Sequence, residues 1–155
     1  MKKINTSKVS ALGSHLGFWL RFVSNQVSSR FENLLAEYDI SVTEWVAMRS
    51  LYGRSDATHA ELINALGMTK GAASKIISKL ETKGFAERQQ SKDSLREQVL
   101  SLTDTGNQLV PKLAALADEN DIHFFGHLTD LQQQTLMALM QELVIHHQLK
   151  KVPTQ

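Results

Sequence analysis

The segment between residues 69 and 83 carries the side chains best suited to binding a polyanion. At helical steps of about 100°, its short polar and cationic groups fall on one arc: Gly71, Lys75, Ser78 and Thr82, flanked by Ser74 and Lys79. Lysines supply charge to phosphates, while serine and threonine hydroxyls bond either phosphate oxygens or base edges. The pattern favours a helix face that enters a groove of double-stranded DNA. A merely solvated face is the alternative.

Positive charge is concentrated in the same part of the chain. Residues 69–96 hold seven lysines and arginines against three carboxylates, a net charge of +4, although the whole chain carries only +1. A basic element on an otherwise acidic body is the electrostatic footprint of a protein that contacts phosphates locally. The residues expected to contact DNA are Thr69, Lys70, Gly71, Ser74, Lys75, Ser78, Lys79, Lys92 and Arg96.

Gly71 needs its own explanation, because glycine inside a helix costs roughly 0.5 to 1 kcal/mol relative to alanine. Close approach of the helix backbone to a phosphate would account for it. Close packing against a neighbouring helix would account for it equally well.

Local signals predict the elements around this helix. Thr58 and Glu61 form a capping box, which predicts a short helix that Gly67 ends. Thr69 is placed to cap the next helix, which runs to about Lys83 before Gly84. Two helices joined by so short a turn have the spacing of a helix-turn-helix.

A hairpin follows that pair. Residues 85–89 and 98–102 are predicted to pair as strands around the polar connection 90–97, which makes this connection a candidate wing. In such an arrangement the helix enters the major groove and the hairpin reaches the flanking backbone or the minor groove. Arg96 is the candidate for minor-groove insertion.

Long helices are predicted on both sides. Apolar positions recur every three or four residues from Leu12 to Tyr38, which indicates one long helix, and Thr43 is placed to cap a second helix that Gly53 stops. Downstream, Thr103 is predicted to start a helix that Gly126 ends, with a bend or break at Pro111. A capping box at Thr129–Gln132 is predicted to start the last helix. The apolar side of that helix consists of Leu131, Leu136, Leu139, Met140 and Leu143.

The stretches Glu61–Phe85 and Leu100–Gly106 closely resemble the MarR family of bacterial transcription regulators. The resemblance implies a mainly α winged helix-turn-helix with a small β-hairpin wing, and long N- and C-terminal helices that form a dimerisation base. The implied division is an N-terminal dimerisation helix (1–42), a DNA-binding lobe (43–103) and C-terminal dimerisation helices (104–155). It further implies a homodimer that represses from a pseudo-palindromic operator. The residues alone leave repressor versus activator open.

The resemblance also implies release of DNA by a small phenolic or aromatic carboxylate effector. Side chains of suitable type on the first two helices are His15, Phe18, Trp19, Phe22, Trp45 and Arg49. The alternative is that the aromatic residues are core and Arg49 is a surface charge.

The wing departs from the family pattern at one position. An aspartate usually stands two residues before the arginine that corresponds to Arg96, and here that residue is Ser94, next to Asp93. If the aspartate normally braces the arginine, this wing is expected to be looser or to use Asp93 in a shifted turn.

Other classes of function find little support. The chain has no cysteine, phosphate loop, nucleophile elbow or paired buried carboxylates, which argues against an enzyme. His123 and His127 have zinc-ligand spacing, and His146 and His147 could join them, but Gly126 interrupts the helix between the first two. We predict no metal and no cofactor. A winged helix that binds only proteins stays open as an alternative.

The N-terminal segment, residues 1–10, is polar and is followed by no apolar run long enough for a signal sequence or a membrane span. Together with the missing cysteines, this predicts a cytoplasmic protein without membrane contact.

Overall fold

The computed structural model describes residues 9–93 and 97–150. Within them, the helices are α1 (Leu16–Ala36), α2 (Val42–Leu51), α3 (His59–Leu66), α4 (Lys70–Thr82), α5 (Asp104–Phe125) and α6 (Asp130–His146). The strands are β1 (Ala57–Thr58), β2 (Ala86–Gln90) and β3 (Gln98–Leu102). The predicted winged helix-turn-helix order is confirmed.

The first helix is shorter than its apolar pattern predicted. A 3-10 turn spans Leu12–Ser14, and His15, extended with ψ of 122°, separates this turn from α1. At the other end Asp39 has a φ of 56°, so Tyr38 lies in the connecting turn. An apolar repeat marks a helix face and does not locate the residue where the backbone leaves helical geometry.

The predicted cap of the second helix was wrong by two residues. Ser41 Oγ accepts a hydrogen bond from the Glu44 amide at 3.1 Å, and the Glu44 carboxylate accepts one from the Ser41 amide at 2.9 Å. This capping box starts α2 ahead of Thr43. Glu44 is only 3% exposed and also accepts from Lys83 Nζ at 3.0 and 3.1 Å. The pair joins the start of α2 to the end of α4.

The sheet has one strand more than the predicted hairpin. β3 lies in the middle, antiparallel to both β1 and β2. β1 has two residues, too few for an alternation signal in the sequence. It holds Ala57 opposite Leu100, which attaches the start of α3 to the wing strands. β3 has its predicted bounds, and β2 lies one residue later than predicted.

The start of α5 packs closely against the junction of α4 and β2. Phe85 O accepts a hydrogen bond from the Thr103 amide at 3.0 Å. A Cβ atom at Gly106 would lie 2.1 Å from this same carbonyl oxygen, so only glycine fits there. Thr103 caps α5 as predicted, and the helix continues through Pro111 without a break.

The core lies beneath α4. Ala73, Ile77 and Leu80 are fully buried, and Ile76 packs against them, which confirms the predicted apolar arc. They share one cluster with buried residues of α2, α3, α5 and the sheet, among them Met48, Leu66, Leu100 and Leu113. Because this side of α4 is buried, its polar side must face outward.

Candidate nucleic-acid interface

A tight turn positions α4. Gly67 ends α3 with a φ of 60°, a left-handed conformation that glycine adopts without strain. Two residues later Thr69 Oγ1 accepts a hydrogen bond from the Ala72 amide at 3.2 Å and caps α4. Thr69, Lys70 and Gly71 are exposed, so the first turn of α4 lies at the protein surface.

The face of α4 opposite the core is exposed and cationic. Gly71, Lys75, Ser78, Lys79 and Thr82 are exposed, and Ser74 is half-buried. The one carboxylate of α4, Glu81, has its Oε1 2.8 Å from Arg88 Nε and is neutralised there. The arc predicted from the sequence therefore forms a continuous surface without an unpaired negative charge.

The structure separates the two explanations for Gly71. A Cβ atom at this position would meet no atom of the described residues within 4 Å, so none of the described helices requires a glycine there. The packing explanation is therefore wrong. The backbone of α4 is open to an incoming group at this residue, as close approach of a phosphate requires.

Arg88 on β2 is the main residue of this surface that the sequence analysis missed. Its Nη2 donates hydrogen bonds to Ser74 O at 3.2 Å and to Ser78 Oγ at 3.0 Å, while Nε lies against Glu81. The guanidinium thus ties the wing to the exposed face of α4. Alternation along β2 could have found it, because Ala86 is buried and Arg88 lies on the same strand face.

A groove of about 770 Å³ opens where the first turns of α3 and α4 meet the wing strands. His59, Lys70, Ser74 and Arg88 lie along it, with Glu97 at the wing side. His59, at the first position of α3, was not among the predicted DNA contacts. Burial, together with Arg88 and Lys70, lowers the pKa of its imidazole, and Glu81 opposes this shift.

The wing begins as an ordered turn. Ser91 N donates to Glu97 O at 2.9 Å, and Ser91 Oγ accepts from the Asp93 amide at 3.2 Å. Lys92 is exposed in the connection that follows β2. Arg96 and Ser94 lie outside the described residues, so the expected minor-groove contact stays a prediction.

The six residues suggested for effector binding lie in different surroundings among the described residues. Phe18 lies against Trp19 and Phe22, with ring centroids 5.3 and 6.5 Å apart, and both partners are more than half exposed. His15 is exposed just before α1, and exposed Arg49 lies 5.8 Å from the ring centroid of Tyr52. Only Trp45 packs against the core.

Trp45 borders a cavity of about 360 Å³ between α1, α2 and α5. Its apolar lining includes Val27 and Phe31, and its polar lining is Ser28, Glu32, Asn120 and Asp121. Asn120 is buried, and its side-chain amide is already hydrogen-bonded: it donates to Val27 O at 3.1 Å and accepts from Arg30 at 3.1 Å. Burial and nearby Asp118 raise the pKa of the Asp121 carboxyl.

The histidines considered as zinc ligands do not assemble. Among residues 9–93 and 97–150, no three histidine or carboxylate side chains are grouped as a metal site would require. His123 is in the last turn of α5, and His127 lies beyond Gly126, where that helix ends. Over the same residues, no helix is both long and apolar enough to cross a membrane.

Known proteins share both the sequence pattern and the fold. Residues 40–98 match the MarR family. The transcriptional regulator SarZ of Staphylococcus haemolyticus is 25% identical over 72% of this chain and 76% of its own length. The structure of CouR from Rhodococcus jostii bound to p-coumaroyl-CoA has a TM-score of 0.76 at 17% identity, covering 86% of this chain and 94% of CouR.

The complex of S. aureus MepR with DNA also has a TM-score of 0.76, at 19% identity, covering 85% of this chain and 98% of MepR. At such identities the two solved structures establish the shared fold. The family match spans α2, both helices of the helix-turn-helix and most of the wing, the elements that form the cationic surface. The segment that matches the MarR family is therefore the winged helix-turn-helix itself, and the relatives that align with most of the chain are transcription regulators.

Proposed function

We propose that the chain is a homodimeric repressor that binds a pseudo-palindromic operator through α4 and the wing. The exposed face of α4 carries the proposal, since lysines and hydroxyls surround an open backbone at Gly71 and no free carboxylate faces outward. The proposed division follows the elements: residues 1–42 and 104–155 form the dimer base, and 43–103 form the DNA-binding lobe.

Each contact has a separate role in this proposal. Lys70, Lys75, Lys79 and wing residue Lys92 bind phosphates, and Arg96 enters the minor groove. Thr69, Ser74 and Ser78 bond base edges or phosphate oxygens, and the backbone approaches the DNA at Gly71. Arg88 is a positioning residue, because its donors hold the wing against Ser74 and Ser78.

Exposed apolar surface supports the homodimer. None of the 17 residues of α6 is buried, and its exposed apolar side chains include Leu131, Leu136, Met137, Leu139, Met140, Leu143, Val144 and Ile145. Near α1, Val9, Leu12, Leu16, Leu20 and Val23 are exposed as well. Apolar patches of this kind mark association sites. A second copy of the chain would cover both patches if the α1 and α6 regions of the two copies packed against each other.

The cavity at Trp45 supports a small aromatic effector. Its volume of about 360 Å³ lies within the usual range for ligand sites. The lining contains carboxylates of Glu32 and Asp121 and no cation, while nearby Arg30 is engaged by Glu119 and Asn120. This charge pattern favours a neutral or cationic aromatic compound over the aromatic carboxylate expected from the sequence.

Selection from random duplexes at two salt concentrations tests operator binding. We expect a palindromic consensus and an affinity that falls steeply with salt, because bound lysines release counterions from DNA. Lys75→Ala should weaken binding to all sequences and reduce the salt slope by about one. Lys112→Ala, an exposed lysine on α5, is the matched control and should change neither.

Absence of enrichment together with weak retention at both salts would contradict operator binding and favour a module that binds proteins only. Sedimentation of the free protein tests the dimer separately. We expect a dimer for the wild type and dissociation for Leu139→Lys, which places a charge on the exposed face of α6.

Tryptophan fluorescence tests the effector site. Trp19→Phe leaves Trp45 as the one tryptophan of the chain. We expect benzyltrimethylammonium to quench it more strongly than 4-hydroxybenzoate, and Asp121→Asn to remove that preference. Asp104→Asn, on the same helix and outside the cavity lining, should preserve it. Stronger quenching by 4-hydroxybenzoate would restore the aromatic-carboxylate prediction.

A further inference from the structure

The groove between α3, α4 and the wing has the composition of an anion site. Cationic Lys70 and Arg88 and the imidazole of His59 line one cavity, and Glu97 is the one carboxylate in its lining. The helices α3 and α4 both begin there, and free amides at helix starts attract anions. Two side-chain cations and two helix starts thus converge on one space.

His59 has a buried polar atom that neither a hydrogen bond nor an ion pair satisfies among the described residues. Its Nδ1 atom is buried and has no hydrogen-bond partner among the described residues. A buried polar atom without a partner destabilises the protein that holds it. Nothing in the helix-turn-helix requires a histidine at this position, because the cap of α3 comes from Thr58 and Glu61.

The charged groups around His59 come from every packed element. Arg88 on β2 and Lys70 on α4 repel an imidazolium, Glu81 on α4 attracts it, and Glu97 lies across the groove. Burial is the largest cause of the lowered pKa, followed by the two cations. The imidazole is therefore neutral in the free protein near neutral pH.

We propose that a backbone phosphate of the operator occupies this groove and that His59 binds it as an imidazolium, taking up a proton on complex formation. The inference rests on the proposed operator binding. A phosphate placed among Lys70, Arg88 and His59 offsets their mutual repulsion, so the charged imidazole becomes the favoured form. Operator affinity consequently rises as the pH falls.

Anisotropy of the selected duplex, measured from about pH 5.5 to pH 8 at constant ionic strength, tests this linkage. We expect the wild-type affinity to fall with rising pH by up to about tenfold per pH unit for each proton taken up. His59→Gln should flatten the profile and match the wild type most closely at high pH. His127→Gln, an exposed histidine beyond α5, should keep the wild-type profile.

Calorimetry of the same complex in two buffers of different ionisation enthalpy measures proton uptake directly. Uptake by the wild type that disappears in His59→Gln would support the proposal. A flat profile with tight wild-type binding, or a slope that survives in His59→Gln, would overturn it and leave operator binding intact. Failure to retain a duplex at any pH would overturn both proposals.

Discussion

The guanidinium of Arg88, on the first wing strand, donates a hydrogen bond to Ser78 Oγ on the recognition helix at 3.0 Å. A second bond to Ser74 O and the contact with Glu81 complete this attachment. Ser78 was predicted as a DNA contact, and its hydroxyl oxygen already accepts from the protein. Its own proton remains available to a DNA acceptor, so Arg88 orients a hydroxyl on the exposed face of α4.

Arg88→Met should weaken operator binding by at least about tenfold, or about 1.4 kcal/mol. The reason is that the wing loses its attachment to α4 and Glu81 is left without its cation. Arg88→Lys should recover little, because an ammonium group cannot reach three acceptors as a guanidinium does.

Anisotropy and thermal unfolding together check this prediction. Arg54→Met is the matched control, since Arg54 forms only exposed ion pairs with Asp56 and Glu61. Such pairs contribute about 0–1 kcal/mol. Wild-type operator affinity in Arg88→Met would contradict the positioning role.

Gly71→Ala should separate stability from binding. Because a Cβ atom there meets no protein atom within 4 Å, we expect the free energy of unfolding to increase. The gain is roughly 0.5–1 kcal/mol, the helical cost of glycine. Operator affinity should fall, because the added methyl group stands between the helix backbone and the DNA. Unchanged affinity in the stabilised variant would refute close approach at Gly71.

Gly106→Ala should have the opposite effect on stability. Its methyl group would lie 2.1 Å from Phe85 O, and relieving that overlap must shift α5 away from the start of β2. Overpacking of this kind costs about 1–3 kcal/mol. Chemical denaturation measures the loss, and Gly17→Ala, where a Cβ atom meets nothing within 4 Å, is the control. Equal stability of the two variants would disprove the close contact.

Lys83→Met should destabilise the fold by several kcal/mol, on the order of 3–5, because it leaves the buried Glu44 carboxylate without its cation. Urea unfolding gives the value. Lys79→Met, one turn earlier and exposed, should change stability little. The double variant Glu44→Gln with Lys83→Met should recover part of the loss, and no recovery would argue against a specific pair.

Asp121→Asn should stabilise the protein at neutral pH. Burial and Asp118 raise the pKa of this carboxyl above its usual value, so the ionised form is less favourable in the folded protein than in the unfolded chain. Stability linked to the protonated form is present at low pH and is lost as the pH rises through the raised pKa. The gain in Asp121→Asn should therefore shrink on acidification, and denaturation at several pH values would detect a contrary trend.

The caps and the buried arc were predictable because each depends on residues within one turn of each other. Thr58, Thr69, Thr103 and Thr129 all accept the hydrogen bonds expected of helix starts. The second helix shows the limit of such reasoning. Ser41 and Thr43 are both suitable caps. Ser41 caps the helix because Glu44, three residues later, completes a capping box with it.

Residue type and short-range spacing were enough to predict the order of the helices, the two strands of the wing, the cationic face of α4 and the resemblance to the MarR family. The folded structure was needed to show that β1 joins the wing, that Arg88 reaches α4, and that His59 and Lys70 line the same groove. It also divided the aromatic residues of the first two helices into an exposed cluster and Trp45 at a cavity. Each of these depends on contacts between elements, which local spacing does not encode.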